Sequence, residues 1–132
     1  MRIIRFEDKS GNVQLGSQQQ DGSVTLVEGC LLGDFQDTGQ AAEVGKLLSP
    51  IAPTDILCIG LNYRKHAEEG KQAIPEYPVL FMKTSSAVQN PGDPIVLPRQ
   101  LASDAVDYEC ELAVVIGRDC HNVSKDEALD YV

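Results

Sequence analysis

The chain has 132 residues and a mass of 14.3 kDa, which fits one domain of ordinary size or a modest domain with an appended segment, and excludes a large multidomain machine. Hydrophobic residues make up 42% and charged residues 23%, as in ordinary globular proteins and unlike disordered or fibrous chains. Twenty Asp and Glu against eleven Lys and Arg leave a net charge of −9, which repels a phosphate backbone and argues against nucleic acid as a partner.

No stretch approaches the roughly 18 consecutive apolar residues that span a bilayer, and the first six residues run directly into Glu7 and Asp8 rather than an apolar signal core. The expectation is a cytoplasmic protein with no membrane partner. Cys30, Cys58, Cys110 and Cys120 lie far apart, without a C-x-x-C pair, so free thiols are expected rather than a zinc site.

Residues 2–6, 13–15 and 24–27 are short β-like runs separated by turn residues such as Ser10-Gly11-Asn12, which predicts a small meander. Between residues 39 and 48, the spacing of Ala41, Ala42, Val44, Leu47 and Leu48 permits a short helix. Ser49-Pro50-Ile51-Ala52-Pro53 breaks it. The expected division is therefore a small β-rich N-terminal segment, residues 1–50, and a second part, residues 51–132.

Residues 56–60 are almost wholly apolar and predict a strand buried on both faces. Asn62 can cap a helix over residues 63–69, with Gly70 as the left-handed residue that ends it. On that helix His66 and Glu69 stand three apart and share a face, where the carboxylate can hold one tautomer of the imidazole; an exposed surface pair is the alternative. Residues 70–78 should be a loop and residues 79–82 a strand followed by Lys83, which either contacts a substrate anion or snorkels at the surface.

Pro91-Gly92-Asp93-Pro94 is a dense turn signal, followed by a strand over residues 95–97. Residues 106–116 predict a long strand whose alternation sends Cys110, Leu112, Val114 and Ile116 to one face and Asp107, Glu109 and Glu111 to the other. On that reading Cys110 is a small core residue. Ser124-Lys125-Asp126-Glu127 matches a capping box and predicts a helix beginning there. The sequence stops soon after that helix opens, which predicts a longer parent chain.

Asp104, Asp107, Glu109 and Glu111 place four carboxylates within eight residues, and no Lys or Arg occurs from Gln100 through Gly117. Oxygen ligands of this kind suit a hard cation such as Mg²⁺, Ca²⁺ or Mn²⁺. A solvated acidic edge is the competing reading.

Three ordered motifs together carry more than any one of them. Ile59-Gly60-Leu61-Asn62-Tyr63 with His66 and Glu69, then Pro78-Val79-Leu80-Phe81-Met82-Lys83, then Asp107-Tyr108-Glu109-Cys110-Glu111-Leu112 resemble the fumarylacetoacetate hydrolase family over roughly residues 56–132. The resemblance implies a β-rich α+β fold: part of a mixed β-sandwich roll, preceded by a small β-rich segment and left unclosed. It implies that Glu109 and Glu111 are two ligands of Mg²⁺, that His66 and Glu69 are a catalytic pair on a lid segment, and that Lys83 can contact substrate. A third carboxylate ligand and a further lysine would follow Val132, and Asp107 is not assigned to that role.

The implied activity is metal-dependent hydrolysis of a carbon–carbon bond in an acylpyruvate or fumarylacetoacetate-like 1,3-dicarbonyl acid, in a homodimer. Decarboxylation of an oxaloacetate-type 2-oxo acid is the related alternative. Two non-catalytic readings stand beside it: a truncated chain that only dimerises or binds, and a β-rich cation-binding module.

Overall fold

The computed structural model describes residues 1–132 and shows a β-rich α+β architecture with two antiparallel sheets. The first sheet contains β1 (Arg2–Glu7), β2 (Val13–Gln18), β3 (Val24–Gly29), β4 (Phe35–Ala41) and β5 (Lys46–Leu48), in the order β4-β3-β2-β1-β5. The three strands expected from the short apolar runs are β1 to β3, and the turns between them are made by the expected polar residues. The Asp8 carboxylate accepts the main-chain N–H groups of Ser10 and Asn12, and that of Asp21 accepts the N–H of Ser23, so each aspartate closes the turn in place of a backbone acceptor.

The core sits on one face of this sheet. Ile4, Phe6 and Val24 are buried together, with Leu26, Ala42 and Leu47 packed against them. Phe6 is 1% exposed, and it has room because Gly16 carries no side chain: a Cβ there would meet Val24 Cγ1 at 2.5 Å and the Phe6 ring at 3.0 Å.

The helix expected between residues 39 and 48 is absent. Its apolar residues instead end β4 and form β5, which pairs with β1 through Arg5, Phe6 and Glu7. Gly45 explains the difference. Its N–H donates to the Glu7 carbonyl at 2.8 Å, and a Cβ at that position would lie 2.9 Å from the Asp8 carbonyl oxygen. This close backbone approach rewards an extended edge strand, in which Leu48 is buried, over the period-3.6 reading. The polar strand β4 is exposed throughout and exists because it pairs with β3, which propensity alone does not predict.

β6 (Ile56–Gly60) and β7 (Val79–Lys83) form a separate two-stranded antiparallel sheet. β6 was expected to be buried on both faces; here Leu57 is 63% exposed and all of β7 is exposed. No other strand among the 132 residues covers or extends this pair, and two strands alone bury little. The strands expected over residues 95–97 and 106–116 are also absent. A strand persists by hydrogen bonding to a neighbour, and no strand of this chain lies beside either run. At the end of the chain Ser124 Oγ donates to the Glu127 carboxylate at 2.6 Å. The helical segment after this contact is only a 3₁₀ turn, Ala128–Tyr131. No helix is long and apolar enough to cross a membrane, and all four cysteines are free.

A polar junction ties β5 to the turn at residues 90–93. Lys46 Nζ lies 2.8 Å from Asp93 Oδ2, Asn90 Nδ2 donates to the same carboxylate oxygen at 3.1 Å, and the Ser49 N–H donates to Asn90 Oδ1 at 3.0 Å. The hydrogen bonds from Lys46 and then Asn90 hold the Asp93 carboxyl below the usual range, and the same contact raises the Lys46 ammonium above its own. A depressed carboxyl stabilises the folded arrangement fully above its unfolded value, about 3.9, and loses that effect as pH falls through the lower folded value. The raised lysine contributes below its unfolded value and loses its effect only in strong alkali. The Ser49 amide should therefore stay protected from hydrogen exchange at neutral pH and open in acid ahead of the β1 amides. Asp93→Asn should remove that acid step; an unchanged acid step in the variant would refute the role of the pair.

Candidate active site

β6 ends at Gly60, and Leu61 then takes a left-handed conformation with φ of 51°. Such a conformation costs an L-residue about 1–2 kcal/mol, and it turns the chain sharply into α1 (Arg64–Glu69). Ala67, fully buried, anchors the helix. The N-cap position belongs to Tyr63 and no side chain caps the helix, so the expected capping by Asn62 is corrected. The C-terminus is also one residue from expectation. Gly70 has φ of −76°, and Lys71 takes the left-handed conformation, φ 51°. Lys71 N–H bonds to the Glu68 carbonyl and Gln72 N–H to the Ala67 carbonyl, which is the Schellman pattern with Lys71 at its left-handed position.

His66 and Glu69 both face an open cleft of about 230 Å³, whose other wall is the run from Asp107 to Glu111; Asn62 and Tyr63 complete the lining. The i, i+3 spacing on α1 thus does place the two side chains on one side of the helix. Their relation differs from expectation, however. The carboxylate within reach of the imidazole is that of Glu109, with Oε1 3.7 Å from His66 Nδ1, and no hydrogen bond joins His66 to Glu69. At that distance the two side chains are neighbours without a hydrogen bond. Both side chains are about half exposed, 54% and 56%, so water reaches them both.

Glu109, Cys110 and Glu111 all line the cleft, which corrects the placement of Cys110 in the core. Strict alternation requires a pleated strand held by a ladder, and this run has none. The thiol is exposed. Lys83 lies apart from the cleft at the end of β7, with its ammonium 5.9 Å from the centroid of the Phe81 ring. Sequence reasoning missed Asn62, Tyr63, Tyr108 and Cys110 as lining residues. The first two were signalled only by adjacency to Gly60 in the motif, and Cys110 was hidden by the assumption of a strand.

The donor set has the right character for a hard cation but is incomplete in number. Glu109 and Glu111 offer carboxylate oxygens into one cleft, yet no three His, Cys, Asp or Glu side chains converge closely enough to hold an ion by themselves. The chain can therefore supply part of a coordination shell.

Residues 55–132 match the fumarylacetoacetate (FAA) hydrolase C-terminal family, and residues 1–50 match the family described as Rv2993c-like, N-terminal. The chain belongs to the fumarylacetoacetate hydrolase family. It is similar to the caffeoylpyruvate hydrolase of Neonothopanus nambi, 42% identical over 155 aligned residues that cover 99% of this chain and 53% of the relative. It is also similar to the mitochondrial oxaloacetate tautomerase fahd2 of Xenopus laevis, 32% identical over 158 aligned residues that cover 100% of this chain and 49% of the relative. A solved structure of a Mycobacterium abscessus protein, 32% identical, superposes with a TM-score of 0.77 over 99% of this chain and 51% of that one. The chain spans between 26% and 53% of the lengths of eight curated relatives that it matches. Named members of this fumarylacetoacetate hydrolase set are enzymes, hydrolases and a tautomerase among them.

Proposed function

We propose that the whole protein hydrolyses a carbon–carbon bond in an acylpyruvate-type 1,3-dicarbonyl acid, with His66 as general base and Glu109 and Glu111 as ligands of a divalent cation, Mg²⁺ by preference. The observation that carries this reading is the meeting of α1 with the acidic run across one cleft, His66 Nδ1 lying 3.7 Å from Glu109. A cation held by the two glutamates would supply Lewis-acid stabilisation of the oxygens of the dicarbonyl acid. The likeness to a caffeoylpyruvate hydrolase supports the substrate class.

The chain's own residues have definite tasks. His66 takes a proton from water, and the resulting hydroxide adds to the acyl carbonyl carbon. The bond between that carbon and the pyruvate half then breaks, leaving a carboxylic acid on one product and the electron pair, as an enolate, on the other. The enolate carbon takes back the proton held by His66 to give the 2-oxo acid, and the new acid loses its proton to solvent. The glutamate carboxylates keep anionic oxygens away from this end of the cleft unless a cation lies between them. Glu69, on the same side of α1, lines the same cleft.

The likeness to an oxaloacetate tautomerase favours a second reading, in which the same base moves a proton on an oxaloacetate-type 2-oxo acid; decarboxylation of such an acid would use the same enolate. Acetylpyruvate and oxaloacetate, each offered to the whole protein with Mg²⁺ and with a chelator, separate these readings. Loss of acetylpyruvate absorbance with release of acetate, abolished by chelation and inhibited by oxalate, is the expected result. Conversion of oxaloacetate alone would favour the second reading. Inertness towards both acids with every divalent ion would overturn the two together.

A further inference from the structure

The Tyr63 hydroxyl accepts the main-chain N–H of Leu112 at 3.0 Å, across 49 residues of sequence. No other main-chain hydrogen bond joins residues 106–116 to a different element; the only other one in the run is local, from the Tyr108 N–H to the Asp107 carboxylate. Within these 132 residues the run has no ladder partner, so this bond is the one fixed main-chain point near Glu109 and Glu111 that the chain itself supplies. Tyr63 is well placed to be that point. It occupies the N-cap position of α1, its carbonyl accepts the N–H groups of His66 and Ala67 at 3.1 and 3.2 Å, and its ring lines the cleft.

We propose that Tyr63 is a positioning residue, whose hydroxyl tethers the acidic run to the start of α1 and so sets the separation between His66 and the Glu109–Glu111 pair. The proposal rests on the reading of those three side chains as one site. Its physical content is that, within this chain, one hydrogen bond couples the two walls of the cleft. The pairing of His66 with Glu109 rather than Glu69 follows from where this tether draws the run.

Tyr63→Phe tests it, because the ring that packs in the cleft is kept and only the acceptor is lost. In the whole protein the Leu112 amide should exchange about tenfold faster or more in the variant, while the β1 to β3 amides keep their wild-type rates. With Mn²⁺ as the probe, the His66 ring resonances should be broadened in the wild type, and that broadening should weaken in Tyr63→Phe at saturating ion. Leu112→Pro removes the donated N–H from the other partner and should reproduce the weakened broadening at His66. An unchanged Leu112 exchange rate in Tyr63→Phe would overturn the tether, and faster exchange with undiminished broadening would overturn its positioning role. Wild-type protein whose His66 signals ignore Mn²⁺ would sink the shared site and the positioning role with it, while the tether itself would still be read at Leu112.

Discussion

Glutamine at position 109 or 111 should weaken divalent-ion binding by at least about 100-fold, since even the partners that merely orient a metal ligand are worth 10–100-fold. Turnover of an acylpyruvate by the whole protein should fall with it. The substitution is nearly isosteric and keeps an oxygen donor, but it removes one negative charge from a run that has no Lys or Arg between Gln100 and Gly117. The fold should not suffer. Both glutamates are exposed, they lie in a run that belongs to neither sheet, and substitutions of that kind usually change stability by no more than about 0.5 kcal/mol. Titration calorimetry with Mg²⁺ alongside thermal unfolding distinguishes a lost ligand from a lost fold. A variant with wild-type affinity and turnover would remove Glu109 and Glu111 from the site.

His66→Asn should lower kcat by about 10²–10⁴-fold, the range that a positioned general base contributes, while leaving metal affinity near its wild-type value. Asparagine fits the half-exposed position on α1 and cannot accept a proton at neutral pH. Because the base acts in the transition state more than in the bound ground state, kcat should fall far more than KM rises. Glu69→Gln should cost less, since the structure shows no hydrogen bond from Glu69 to the imidazole. Equal losses in kcat for the two variants would instead favour the pair as a unit, and a wild-type kcat in His66→Asn would place the base elsewhere.

How much of the site could be seen in the sequence depends on the range of the interaction involved. His66 and Glu69 were placed on one side of a helix by their spacing, and both do line the cleft. The acidic run was visible as a charge cluster without neutralising partners. That His66 meets Glu109 was not visible, because it depends on the turn at Leu61 and on how the acidic run crosses the mouth of α1. Cys110 was misplaced for a related reason: alternation assigns faces only to a strand that has a neighbour.

The same division runs through the fold. Residues with local effects declared themselves in sequence: Asp8 and Asp21 close their turns with their own carboxylates, Asn90 to Asp93 form the expected turn at Pro91-Gly92, and the apolar runs of β1, β2 and β3 alternate into a sheet. Their causes lie within a few neighbouring residues, so a linear reading contains them. β4, β5 and the partner of His66, by contrast, were decided by tertiary structure. Gly45 closes on the Glu7 and Asp8 backbone, β3 offers an edge to a polar strand, and Tyr63 holds Leu112. Each of these depends on a donor or a surface supplied by a distant part of the chain, and free energy gained across such a distance leaves no periodicity in the sequence that receives it.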